Sequence, residues 1–131
     1  MTPTLPGSTA ESRRSIIIDN VRTFFPTYSP SSDEVFSTLE EHIETHGYFL
    51  QREHNVDIPE TGYFTSWLEY VLEPILIGLS IQHKKTNLLI DPLEEYVAIS
   101  KLWFSYSRQH SFYNIEDLQE ALNIYFSQYE D

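Results

Sequence analysis

Apolar side chains recur at steps of three and four residues in five stretches of this chain, and no two runs offer themselves as partnered strands. That spacing gathers one stripe on one side of an α-helix, so each stretch predicts an amphipathic helix. Ile17, Val21 and Phe24 or Phe25 form the first stripe. Its helix is expected to start near Thr9 or Ala10, with Ser8 or Thr9 as cap and Glu11 in the first turn, and to stop at Pro26. Val35, Phe36, Leu39, Ile43, Phe49 and Leu50 form the second stripe. Ser31 and Glu34 have capping-box spacing at its start, the helix is expected to reach about Glu53, and Gly47 is placed to bend or divide it.

The third stretch follows a polar loop at 54–61 and holds Phe64, Trp67, Leu68, Val71, Leu72, Ile75, Leu76 and Leu79. Pro74 lies inside it. A proline cannot donate its backbone hydrogen bond and clashes with the preceding turn, so this helix either kinks near Pro74 or is two short helices end to end. Residues 75–81 also fit a short buried strand, but nothing else in the chain would pair with it. His83 to Asn87 reads as a connection, with Lys84 and Lys85 as cations at a helix C-terminus, which the helix dipole favours. Asp91-Pro92 is a strong start signal, a capping acid followed by a proline at the first helical position. The fourth stripe, Leu93, Tyr96, Val97, Ser100, Trp103 and Phe104, fades near Gln109. Asn114 with Asp117 opens the fifth, carrying Leu118, Ala121, Leu122, Tyr125, Phe126 and Tyr129. The expected fold is all-α: a single-domain bundle of about five amphipathic helices over residues 9–131, behind a flexible arm at residues 1–8.

Charge narrows the function more than any motif does. Twenty acidic residues oppose eight basic ones, a formal net charge of −12. A chain so charged would stay unfolded if it were short of apolar residues. Nine tyrosines, eight phenylalanines and two tryptophans supply the material for a core. The negative field repels nucleic-acid phosphates and anionic membranes and favours a basic partner. With no cysteine there is no disulfide, no thiolate nucleophile and no Cys-ligated zinc. Residues 1–12 lack the basic start and apolar segment of a signal peptide, and Val71 to Ile81, the most apolar stretch, is far short of a membrane span. A cytoplasmic location is the expectation.

Three patterns bear on chemistry. His42 and His46 are four residues apart, close enough on one helix side for two imidazoles to hold one metal ion. The run is His-Ile-Glu-Thr-His, however, and zinc proteases use His-Glu-x-x-His. Moving the glutamate by one position turns it by about 100° around the helix, away from a metal-bound water. No glutamate stands three residues before a histidine on this helix, as a di-iron site requires. His46 also continues the apolar stripe, as a buried histidine with a hydrogen-bonded partner would. Gly78-Leu79-Ser80-Ile81-Gln82 lacks the second glycine and the strand–turn–helix setting of a nucleophile elbow. Four widely spaced glycines form no phosphate-binding loop.

The acids are unevenly spread. Eight acids and one base, Arg52, lie between Asp33 and Glu60, and five acids and no base lie from Gln109 to the end. The second and fifth helices are therefore expected to present negative faces. Tyr48, Tyr63, Tyr70, Tyr106 and Tyr113 fall at stripe edges or in loops, where tyrosine favours interfaces. The favoured reading is a non-enzymatic acidic module without a cofactor that binds a basic protein or complex, not nucleic acid directly and not a membrane. Inhibitors, immunity-type proteins and nucleic-acid mimics share that physical profile. Glu40, Glu41, Glu44 and Tyr48 on the second helix, with Glu116, Asp117 and Glu120 on the fifth, are the expected partner-binding residues. The alternatives are an adaptor or assembly factor using an aromatic or apolar patch, and a metal-dependent enzyme using His42 and His46.

Overall fold

The computed structural model describes residues 10–30, 33–86, 91–108 and 115–127. Among these residues every regular element is helical and no strand occurs, so the fold is all-α. Helix α1 spans Ala10–Phe24, α2 Asp33–His54, α3 Glu60–Trp67, α4 Glu73–Thr86, α5 Pro92–Arg108 and α6 Ile115–Ser127. A π-helical turn, Leu68–Leu72, stands between α3 and α4. With α3, that turn and α4 counted as one run, the described residues hold the five helices that the periodicity predicts. The expected caps at Ser8, Thr9, Ser31 and Asn114, the arm at 1–8, and Tyr113 and Tyr129 lie outside the described residues. Residue contacts divide the chain into two units, Met1–Glu69 and Tyr70–Asp131.

In the first unit, Ile17 and Val21 of α1, Val35, Phe36, Leu39 and Ile43 of α2, and Phe64 and Trp67 of α3 are all buried. These are the stripes read from the sequence, while Phe49 and Leu50 are only half-buried. Gly47 neither breaks nor divides α2, which runs 22 residues through it. Its role is a close approach. A Cβ built there would lie 2.7 Å from the Tyr63 ring, so the missing side chain makes room for that ring. Arg14 reinforces the α1–α2 contact, with its guanidinium 4.2 Å from the centre of the Phe36 ring. Helix α2 ends on Asn55, whose φ of 53° is left-handed. The Val56 amide then donates back to the Gln51 carbonyl at 3.2 Å, closing the helix as a Schellman turn.

In the second unit, Val71, Leu72, Ile75, Leu76 and Leu79 are buried, as are Leu93, Tyr96, Ile99 and Trp103 of α5 and Leu118, Ala121 and Leu122 of α6. Asp91 caps α5 as expected: its Oδ1 accepts from the Leu93 amide at 3.1 Å and the Glu94 amide at 3.3 Å, with Pro92 at the first helical position. Asp91→Ala is expected to cost about 1 kcal/mol, read from urea unfolding.

Two boundaries differ from expectation. The segment His83 to Thr86 is helix, not connection. His83, Lys84 and Lys85 form the last turn of α4, where cations favour the negative end of the helix dipole. Around Pro74 no residue leaves helical space. The π-helical turn directly before α4 widens the backbone ahead of the proline, which relieves its ring clash and its missing N–H. By length and composition alone, Glu60–Lys85 is long and apolar enough to cross a membrane. Glu69 and Glu73, both exposed, stand near its middle, where a charged side chain in lipid costs about 2.5–3.5 kcal/mol.

Candidate functional site

Helix α2 carries two distinct faces, and the first is internal. Glu40, Glu44, Gly47 and Gln51 recur at steps of four, three and four, so they share one side of the helix. Every one of them meets another element of the first unit. Arg13, buried on α1, donates through Nε to both carboxylate oxygens of Glu40 at 2.9 and 3.0 Å. Its two terminal nitrogens pair with Glu40 and with Glu60 at the start of α3. The Glu40 carboxylate raises the arginine pKa above its ordinary value, so the guanidinium stays charged. Tyr63 lays its ring over Gly47 and donates its hydroxyl to Glu44 at 2.9 Å. Burial first, and the bond to Glu44 second, push the Tyr63 phenol up in pKa and keep it protonated. Gln51 accepts from the Ile58 amide at 2.9 Å and donates to the Gly47 carbonyl at 3.1 Å.

His46 belongs to this internal packing. It is buried, and its Nε2 lies 2.8 Å from the Ser66 hydroxyl of α3. Burial lowers the pKa of both His46 and the half-buried His42 to about 4. Both rings are therefore neutral at pH 7. Among the described residues no group of three His, Asp or Glu side chains comes together around them as a metal site would need.

The depressed histidine pKa values have a thermodynamic consequence. An unfolded chain protonates its histidines near the ordinary value of 6.5, the folded one only near 4. Between those limits the unfolded state binds more protons, so stability is complete above pH 6.5 and falls as pH drops towards 4. A melting-temperature series from pH 7 to 5, above most carboxylate titration, is expected to decline steeply. His46→Gln, which can still bond Ser66, is expected to shrink that decline. An equal slope in the variant would show that His46 does not titrate across the transition.

The second face of α2 is external. Glu34, Glu41, Glu44 and Tyr48 are spaced by seven, three and four residues and all are exposed, Tyr48 by 58%. The Tyr48 hydroxyl lies 3.4 Å from Arg52, at the edge of an open hollow of about 430 Å³ lined by Tyr48, Gln51, Arg52, Asn55, Val56 and Asp57. Of the residues expected to bind a partner, Glu41 and Tyr48 lie on this outward stripe, and Glu44 lies at its border with the inner side, exposed while accepting from the Tyr63 hydroxyl. Glu40 faces inward to Arg13 and is not a spare charge. On α6, in the second unit, Glu116 and Glu120 are exposed one turn apart, while Asp117 is half-buried.

Arg13, Glu60 and the inward role of Tyr63 are functional contacts that no sequence motif marks. Arg13 sits in a polar stretch one turn before Ile17, yet that spacing continues the Ile17–Val21 stripe. Tyr63, which apolar spacing places at a stripe edge, is 9% exposed. The signal that could have found it is Gly47: a glycine inside a strong helix stripe marks a close neighbour. No protein-family model matches the chain, and no similar curated protein or solved structure is found.

Proposed function

We propose that the protein is a non-enzymatic binding module that offers the outward face of α2 to a basic protein. The observation that carries this reading is the single exposed stripe of Glu34, Glu41, Glu44 and Tyr48. Three carboxylates steer a cationic surface towards the helix, and an exposed tyrosine supplies contact area at low entropic cost. The net charge of −12 acts in the same direction. The inward anchors at Arg13, Glu40 and Tyr63 hold the helix in place, so the face is presented without an ordering cost at the moment of binding. Glu116 and Glu120 make α6 a second acidic face, and the location that goes with this reading is the cytoplasm.

A second reading has one observation in its favour. Val56 is 54% exposed beside Tyr48 at the hollow, which suits an adaptor gripping an apolar side chain. Salt separates the two, since charge-led binding weakens steeply with ionic strength and apolar binding does not. The test is affinity capture from source cells with wild-type protein and with the variant Glu41→Lys/Glu44→Lys. Loss of a basic protein from the variant supports the acidic-face reading. Retention of the same proteins by both overturns it.

A further inference from the structure

We propose that the protein forms a two-fold dimer through the exposed face of α4, paired antiparallel with α4 of a second copy. The inward side of α4 is Leu76 and Leu79, both buried, and Gly78 lies so close to the Phe126 ring of α6 that a Cβ would come within 2.7 Å. The opposite side holds Ile77, 41% exposed, and Ile81, 52% exposed. One exposed isoleucine is ordinary on a protein surface, but two on successive turns of one helix make an unpartnered apolar strip.

The charges at its ends say what covers it. Glu73 is exposed at the start of α4, and Lys84 and Lys85 are exposed at its end. None of the three has an ion pair among the described residues. At about 100° per residue, Glu73, Ile77, Ile81 and Lys84 lie within an arc of about 80°. The strip is also self-complementary. A two-fold axis at the level of Leu79 brings Ile77 beside Ile81 of the other copy and Glu73 beside Lys84, which shares its side of the helix. An isologous interface requires this property, because each contact occurs twice with the roles exchanged. A parallel arrangement would instead set Glu73 against Glu73 and lysines against lysines. The pair Lys84–Lys85 also lowers the repulsion that a chain of net charge −12 meets from its own copy at this face. A lipid surface is the competing occupant of an apolar strip, and the carboxylate of Glu73 on the same face opposes it.

Sedimentation equilibrium of the full chain over a dilution series at low salt tests this. A concentration-dependent dimer is expected. Ile77→Asp removes a buried isoleucine from each half of the interface, so the dissociation constant is expected to rise roughly 100-fold. Glu73→Lys alone and Lys84→Glu/Lys85→Glu alone are each expected to weaken the dimer. Mixed in equal amounts, those two variants are expected to pair with each other, since every clash then becomes an attraction. That regained pairing cannot come from misfolded protein. A monomer at all concentrations, or a dimer indifferent to all three variants, overturns the proposal. A monomer that floats with phosphatidylcholine vesicles also overturns it, and assigns the strip to lipid.

Discussion

Replacing Trp103 with alanine is expected to lower the unfolding free energy by about 3–5 kcal/mol. The ring is 1% exposed on α5 and lies 4.9 Å, centre to centre, from Phe104. Truncation removes a large apolar side chain and leaves a cavity that the surrounding helices fill only in part. Trp67→Ala is expected to fall in the same range, because Trp67 is fully buried and stacks on Phe64 at 6.3 Å. Urea unfolding followed by helical circular dichroism reads both. Since total stability for a chain of this size is on the order of 5–15 kcal/mol, either variant removes a large share of it. A change near zero would mean that the ring is at the surface and free to meet a partner.

Reversing charge at Glu40 is expected to cost about 2–4 kcal/mol, while the same reversal at the adjacent Glu41 changes stability by less than about 0.5 kcal/mol. The contrast follows from geometry. Arg13 is buried with its guanidinium against Glu40, so a lysine there sets two like charges together in a site largely shut off from water. The figure sits below the range for fully buried pairs because the Glu40 side chain is 25% exposed and Glu60 still answers Arg13. Glu41 is exposed and forms no ion pair among the described residues. Glu44→Lys is expected to fall between them, at about 1 kcal/mol, through loss of the Tyr63 hydrogen bond. Equal costs at Glu40 and Glu41 would show that the Arg13 anchor contributes nothing.

Where apolar spacing is dense, the sequence predicts the structure closely. The stripes of α2, α5 and α6 place Leu39, Ile43, Leu93, Tyr96, Trp103, Leu118 and Leu122 in the core, because burial follows helical period once the helix exists. They leave out the fully buried Ile99 and include Val97, Phe104, Tyr125 and Phe126, which are half-buried. Asp91-Pro92 announces its own cap because both residues act locally. The polar anchors were not legible in the same way. Glu40 and Glu41 are neighbours of the same type, and only the position of Arg13, 27 residues away, makes one structural and leaves the other outward. Tyr63 is decided by the space above Gly47, a contact between helices that periodicity does not encode. Pro74 predicts a disturbance, but not the form it takes, a π-helical turn at Leu68–Leu72 with Val71 and Leu72 buried. The outward stripe of α2 is half legible: the sequence shows how many acids the helix carries, but not which of them face out.

The proposed role of the outward acidic stripe of α2 is contact rather than chemistry. Its most direct test is the association rate of wild-type and Glu41→Lys/Glu44→Lys protein with the captured basic partner across a salt series. The wild-type rate is expected to fall steeply with ionic strength, and the variant to be slower by about tenfold or more at low salt, converging with wild type at high salt. A rate indifferent to both salt and the two substitutions would contradict it.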